Sequence, residues 1–198
     1  MKRKIWIIPF ILALLAPVPQ PLAEQATEEG ESGTADSTLY QWKAGNLKFR
    51  EVDGKRTVFL SEGVRIDHQT ATITSLNGIH YLDEKKFILE DEVHAVDGTL
   101  EVFGEIGRYF GLENILTIEK NVRCLDRGME VTCERGRYNR TARTVLLTGN
   151  VVLSDSARVL YSDTVIYNRD SGIANARGSV VLINPDRDYS ISGPHAMY

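Results

Sequence analysis

Few residues in this sequence are suited to redox chemistry, metal binding or catalysis. Only two of its 198 residues are cysteines, and they form no CxxC motif. The four histidines form no HExxH or comparable spacing, and the carboxylates concentrate in turn-like segments, where solvation explains them. An active site would need such groups to converge on one surface. We therefore expect a protein that is not an enzyme and that holds no metal ion and no cofactor.

The sequence also lacks an excess of positive charge and a long apolar run. Its net charge is −4 at pH 7, and from residue 39 onward 20 Lys and Arg stand against 22 Asp and Glu. Proteins that bind nucleic acid carry a basic patch or stripe, so no nucleic-acid partner is expected. The longest apolar run, residues 5–16, has about 12 residues, whereas a membrane-spanning helix needs about 20.

The N-terminal segment has the form of a secretory signal peptide. Three basic residues, Lys2 to Lys4, precede the apolar run, and cleavage after Ala23 is expected, with an uncleaved membrane anchor as the alternative. Residues 24–38 hold five acidic residues, no basic ones and almost no apolar ones, which is typical of a disordered leader. The predicted organisation is therefore signal peptide 1–23, leader 24–38 and folded domain 39–198.

A repeat runs through the predicted domain. It is marked by equally spaced valines, Val64, Val93, Val122, Val151 and Val180. Each valine is followed by a block that ends in tyrosine: Tyr81, Tyr109, Tyr138, Tyr167 and Tyr198. The gap from valine to tyrosine is constant in the middle three copies and slightly longer in the first and the last. A fixed period of about 29 residues indicates a repeat architecture.

Each repeat is predicted to contain two antiparallel strands. Apolar residues alternate within it, which is the period of a strand, and Asp, Asn and Gly mark a tight reversal after both the valine and the tyrosine. The position two residues before the valine is never aliphatic: it holds Glu62, Asp91, Lys120, Gly149 and Gly178. Charge or glycine there predicts a bend that carries each strand between two facing sheets. The alternative is a single flat sheet with an irregular edge, which is unusual because it leaves one face unpacked.

The two ends of the repeat array differ from its middle. Residues 47–55 form a half-repeat with Phe49 in the tyrosine position, as expected of a terminal cap. At the other end the array stops on Tyr198, so the last strand is expected to be an open edge. Unpaired strand edges template association with another chain.

The two cysteines lie in the third repeat. Cys124 and Cys133 flank a predicted turn at residues 126–129, so their side chains share one face of a hairpin. In an oxidising compartment such a pair can form a disulfide. Direct opposition across the hairpin suits bridge geometry and a diagonal arrangement does not, and the sequence leaves this choice open.

The repeat itself resembles a known family. The segments LLTGNVVLSD (146–155) and YSDTVIYNRDSGIANARGSVVL (161–182), with the recurring Gly-Asn-Val turn at 149–151, are similar to the OstA-like family of lipopolysaccharide transport proteins. The resemblance covers about residues 44–198. It implies an all-β fold, an open-ended antiparallel β-jellyroll or folded-over sheet, built here from the five two-strand repeats.

The resemblance also implies a function. A periplasmic carrier or bridge would hold acyl chains of lipopolysaccharide or a similar lipid in an apolar trough, and would stack end to end, by edge-strand pairing, with Lpt-type β-jellyroll domains or with itself. It would meet membranes only through partners. The residues expected to line the trough are Val64, Ile66, Leu89, Val93, Ile118, Val122, Leu147 and Val151. The same periodicity also suits a solid core, so the alternative is a structural or interaction β-repeat module of the cell envelope that binds no lipid.

Overall fold

The computed structural model describes residues 40–184, 186 and 188–198. The predicted signal peptide and leader lie outside the described residues. Among the described residues no helix is long and apolar enough to cross a membrane. In chain order the strands are β1 (Gln41–Val52), β2 (Lys55–His68), β3 (Ala71–Ser75), β4 (Asn77–Tyr81), β5 (Lys86–Asp97), β6 (Leu100–Phe110), β7 (Ile115–Asp126), β8 (Met129–Asn139), β9 (Thr144–Ser154), β10 (Val159–Asn168), β11 (Ile173–Asn184) and β12 (Tyr189–Met197).

All twelve strands form one antiparallel sheet in which strands that are consecutive in sequence pair with each other, except β3 and β4. Strands β3 and β4 together take the place of a single strand, since both pair with β2 and with β5. The break between them is at Leu76, whose N–H donates to the carbonyl of Asp91 and whose carbonyl accepts from the N–H of Gly63. The predicted all-β fold with two antiparallel strands in each repeat is confirmed.

The predicted bend before each valine is a pair of consecutive residues with positive φ. The five pairs are Glu62–Gly63, Asp91–Glu92, Lys120–Asn121, Gly149–Asn150 and Gly178–Ser179. The strand register shifts at these bulges, for example between Glu119 and Val122 where β7 pairs with β8. Since the left-handed region is costly for residues with a Cβ and least so for Gly and Asn, aliphatic residues are absent there.

The bends fold the sheet over on itself. Strands β5 and β8 are not neighbours in the sheet, yet the hydroxyl of Tyr138 on β8 donates to a carboxylate oxygen of Asp97 on β5 over 2.9 Å. The flat-sheet alternative is therefore wrong. The two facing layers are halves of one continuous sheet. The strands were expected to pass from one sheet to another, but each strand instead bends within this single sheet.

Glycines let the two halves approach each other near the bend. Gly78, Gly107 and Gly136 point inward at the same position of successive repeats, and each lies beside a larger residue such as Leu89 on the adjacent strand. A Cβ on Gly107 would lie 3.0 Å from Cγ1 of Val93, closer than carbon atoms normally pack. These glycines therefore set the depth to which the sheet closes.

The tyrosine of the first repeat is not in the position that the sequence pattern predicts. Strand pairing aligns Val58 with His80, His80 with Phe87, and Phe87 with Tyr109. His80 thus holds the inward position that tyrosine holds in the later repeats. Tyr81 is displaced from it by one residue, because the first repeat has one more residue between its valine and its tyrosine than the middle repeats have. Tyr198 keeps the position, since it exchanges two backbone hydrogen bonds with Ala174.

Both ends of the sheet expose inward-facing apolar side chains. Within the described chain, β1 pairs only with β2, and β12 pairs only with β11. Phe49 lies opposite Val58, as predicted for a cap in the tyrosine position, and is 64% exposed. Ile191 lies opposite Leu182 at the other end and is 60% exposed. The apolar inner face therefore reaches the surface at both edges.

Replacing Lys120 with glycine tests whether the bend strains the backbone. Lys120 is exposed and has a φ of 64°, so Lys120→Gly should raise the free energy of unfolding by about 1 kcal/mol because the left-handed strain is relieved. Lys48→Gly, at an exposed position of β1, should lower it by about 0.5–1 kcal/mol. Urea denaturation of both variants checks this, and a destabilised Lys120→Gly protein would contradict the proposed strain.

Candidate functional site

The eight residues expected to line a trough come together in one buried core. They are Val64, Ile66, Leu89, Val93, Ile118, Val122, Leu147 and Val151, each at most 2% exposed. Two cavities within this interior measure about 30 and 10 Å³, room for about one or two water molecules. The interior is thus apolar but filled around these cavities, and lipid contact by these residues remains a prediction.

Opposite the bends, two rows of turns meet along a seam. One row, here called the valine lip, consists of the turns at 69–70, 98–99, 127–128 and 155–158. The other, the tyrosine lip, consists of the turns at 82–85, 111–114, 140–143 and 169–172. Because each strand is folded near its middle, its two ends return to the same side of the molecule, where the lips close the interior.

A group of polar side chains, all buried except the partly exposed Arg140, joins the lips at the middle of the seam. We call it the clasp; it consists of Asp97, Asp126, Tyr138, Arg140 and Arg169. The Arg169 guanidinium donates from Nε to Asp126 Oδ2 over 3.1 Å, from Nη1 to the Tyr138 hydroxyl over 3.0 Å, and from Nη2 to the Asp97 carbonyl over 3.1 Å. A buried ion pair is tolerated when such bonds compensate for its lost hydration.

Asp97 receives hydrogen bonds from both lips. Its carboxylate accepts from Thr70 Oγ1 at 2.8 Å, from the Tyr138 hydroxyl at 2.9 Å and from Arg140 Nε at 3.4 Å. Burial raises the pKa of Asp97, but these hydrogen bonds and the charges of Arg140 and Arg169 outweigh it and hold the pKa below its usual value. Asp97 is therefore ionised at neutral pH and holds the clasp together.

The contacts across the seam repeat along the array. Each joins a residue at the end of a valine strand to a tyrosine 41 or 43 residues later. The pairs are His68 with Tyr109, Asp97 with Tyr138, Asp126 with Tyr167, and Asp155 with Tyr198. In the third pair the tyrosine lies beside a carboxylate that accepts from Arg169 Nε and from Thr99 Oγ1. Sequence reasoning missed these pairs, although the equal spacing of positions 68, 97, 126 and 155 is visible in it.

The last pair carries a strong pKa shift. The Tyr198 hydroxyl, two backbone N–H groups and Arg158 all donate to Asp155, and they lower the pKa of its carboxyl to about 2. Burial and the adjacent Asp155 raise the pKa of Tyr198 to about 12. Tyr198 is therefore held to the valine lip as a neutral donor to an ionised carboxylate.

At the N-terminal end of the seam, aromatic rings replace the clasp. Tyr40 lies within 5.5–6.3 Å, between ring centroids, of His68, His80, Phe87 and Tyr109. His80 stacks on Phe87 at 3.9 Å, and burial lowers the pKa of His80 to about 4, so the ring is neutral at pH 7. This end of the interior is therefore closed by packing rather than by ion pairs.

The two cysteines are free and buried. Cys124 lies opposite Val131, and Cys133 lies opposite Val122, so the thiols are diagonal neighbours rather than a directly opposed pair. Burial raises the pKa of Cys124 to about 12 and that of Cys133 to about 11. Of the two arrangements that the sequence left open, this is the one that does not suit a bridge.

The fold and its interior define a class of protein: an antiparallel sheet of repeated strand pairs, folded over an apolar core. The chain belongs to the OstA-like family, since the model of that family, described as OstA-like protein, matches residues 37–190. No curated protein matches the chain. Membership confirms the resemblance seen in the sequence and connects the chain, at the level of the family, with lipid and lipopolysaccharide transport in the cell envelope.

Removing the hydroxyl oxygen of Tyr138 tests whether the clasp stabilises the fold. Tyr138→Phe leaves Asp97 and Arg169 each short of one buried hydrogen bond and should lower the free energy of unfolding by about 2 kcal/mol. Tyr161→Phe, at a tyrosine that is 42% exposed, should change it by less than about 0.5 kcal/mol. Urea denaturation at pH 7 measures both, and equal effects would show that the seam bonds do not stabilise the fold.

Proposed function

We propose that this protein is a periplasmic carrier or bridge for lipopolysaccharide or a similar lipid, and that it performs no catalysis. The observation that carries the proposal is the inner face of the sheet. Buried apolar residues cover it across the described strands, and it is exposed at the two edges, where Phe49 and Ile191 lie. Family membership supports the same conclusion.

The energetics suit reversible transport. Burial of a twelve-carbon acyl chain gains on the order of 9 kcal/mol, at roughly 0.8 kcal/mol for each CH₂. Because the interior is already packed, the chain must replace contacts between the two halves of the sheet, and much of that gain is offset. The net affinity is then modest, which allows a lipid to be passed on rather than retained.

The free edges suit end-to-end assembly. β1 and β12 each lack a second strand neighbour among the described residues, and each carries an exposed apolar residue of the inner face, Phe49 and Ile191. Pairing β12 of one unit with β1 of the next would continue both the sheet and its apolar face. Such a contact joins two different surfaces and can extend indefinitely. Lpt-type jellyroll domains or a second copy of this chain would fit, and the protein would meet membranes through them.

A second candidate function is a structural or interaction module of the envelope that binds no lipid. The filled interior favours it, since the two interior cavities described above are far smaller than an acyl chain. The two candidates differ in what accompanies the purified protein, because a carrier retains lipid and a scaffold does not.

Native mass spectrometry decides between the two candidates. Protein purified gently from its native envelope should carry bound lipid, and protein freed of lipid by unfolding and refolding should regain it when lipopolysaccharide is added. The refolded protein without added lipid serves as the control for the mass shift. Absence of lipid in the native preparation, together with no shift on adding lipopolysaccharide, would overturn the carrier proposal and leave the scaffold.

A further inference from the structure

A polar surface pocket lies directly outside an apolar cavity at one point of the seam. The pocket is lined by residues of both lips, including Gln69, Thr70 and Thr141. The cavity beneath it, about 30 Å³ in volume, is lined mainly by apolar side chains such as those of Ala95 and Leu116. The two share three residues, Asp97, Asn114 and Arg140. A polar site outside and an apolar site inside are thus separated by one layer of side chains.

This layer contains buried polar atoms that lack partners. His68 lines the cavity and is 2% exposed, and its Nε2 atom has no hydrogen-bond partner among the described residues. Asn114 Oδ1 is buried and unpaired in the same way. An unpaired buried polar atom is costly, and native proteins contain few of them. Two of the six such atoms among the described residues lie at this one boundary, where a bound molecule would give them partners.

Arg140 presents its guanidinium to neutral acceptors. Nη1 donates to Gln69 Oε1 and Nη2 to Thr70 Oγ1, each over 2.9 Å. Only Nε faces a carboxylate, that of Asp97 at 3.4 Å, and Asp97 already accepts shorter bonds from Thr70 and Tyr138. An anion that displaced the two neutral acceptors would form a bidentate, charge-assisted contact, which is roughly twice as strong as a neutral one.

A comparison of three successive repeats shows a partly exposed arginine at only one of the equivalent positions 111, 140 and 169. One repeat earlier, position 140 corresponds to Gly111, where any Cβ would collide with the Tyr40 ring. One repeat later it corresponds to Arg169, whose side chain is 3% exposed and whose three nitrogens are bonded within the clasp. The Arg140 side chain is 16% exposed, so this arginine alone of the two faces the surface.

We propose that this point of the seam binds an amphiphile with a phosphate or carboxylate headgroup. Arg140 binds the anionic headgroup in the surface pocket, and the first methylene groups of the chain enter the cavity beside Ala95 and Leu116. The cavity has room for only one or two small groups, so the rest of the chain enters as the lips separate. The proposal rests on the lipid-carrying function proposed above and assigns it a headgroup site.

The displaced bonds explain why the headgroup opens the seam. Arg140 on the tyrosine lip bonds to Gln69 and Thr70 on the valine lip, and these bonds hold the lips together here. When the headgroup takes both guanidinium nitrogens, the lips lose these bonds, while Arg140 stays fully hydrogen-bonded because the headgroup replaces Gln69 and Thr70. A neutral lipid provides no such compensation, so its chain must separate the lips unaided.

Two lipids that differ only in a phosphate group test the headgroup site. The probes are monododecanoylglycerol phosphate, the uncharged monododecanoylglycerol, both below their critical micelle concentrations, and inorganic phosphate alone. Calorimetric titration of the purified protein should show about a tenfold preference for the phosphate lipid, since a charge-assisted hydrogen bond is roughly twice as strong as a neutral one. Inorganic phosphate should bind far more weakly than the phosphate lipid because it lacks the chain.

Three variants assign the preference to Arg140. Arg140→Gln should reduce the preference to less than about twofold, and Arg140→Lys, which keeps the charge but not the fork, should retain part of it. Arg135→Gln is the matched control, because Arg135 is 61% exposed and pairs with Glu119 on the outer face; it should keep the wild-type preference. Thermal unfolding of each variant confirms that it is folded.

Each alternative result has a separate meaning. If the wild type binds neither lipid but takes up lipopolysaccharide in the mass-spectrometric test above, the headgroup site is wrong and the carrier function stands; if it takes up none of them, both are wrong. If both lipids bind and Arg140→Gln keeps the full preference, the headgroup site is wrong and the carrier function stands. If inorganic phosphate binds as tightly as the phosphate lipid, the site is an anion site and not an amphiphile site.

Discussion

The whole structure depends on a backbone constraint that recurs in every repeat. Five pairs of consecutive residues in the left-handed region bend the strands at nearly the same level, and this turns what would be a flat sheet into two facing halves. The alternating apolar residues then share one interior, and the turns at the two strand ends meet along a seam. Without the bend, Asp97 and Tyr138 would lie on distant parts of a flat sheet, and there would be no interior.

The apolar interior and the charged clasp contribute differently to the free energy of closing the seam. The apolar interior is stabilised by burial and gains nothing from opening, whereas the clasp consists of charged groups that lost hydration when the lips closed. Arg169 and Asp126 are fully committed to this closed state, and Arg140 only partly. The bonds between the lips are therefore more accessible at Arg140 than at Arg169, and an anionic group outside can compete with them there.

Much of the fold could be predicted from the sequence because its information is periodic. The spacing of the valines predicts the repeat, and the non-aliphatic positions from Glu62 to Gly178 predict the bend. The inward position of His80 could not be predicted, since strand pairing and not the tyrosine pattern sets the register. The bonds between Asp97 and Tyr138 were missed because their partners meet only after folding. Whether Leu89 or Val122 lines a trough or a solid core is beyond pattern reasoning, because both need the same alternation.

The central claim is that lipid enters by separation of the lips, and a distance measurement across the seam tests it most directly. Spin labels on Arg127→Cys and Ala142→Cys, exposed turn positions on opposite lips, report that distance by pulsed electron paramagnetic resonance. The native thiols are buried with raised pKa values and should stay unlabelled. Labels on Ala142→Cys and Ser171→Cys, both on the tyrosine lip, provide the control. The account predicts that bound lipid lengthens the first distance and not the second; lipid bound with both distances unchanged would contradict it.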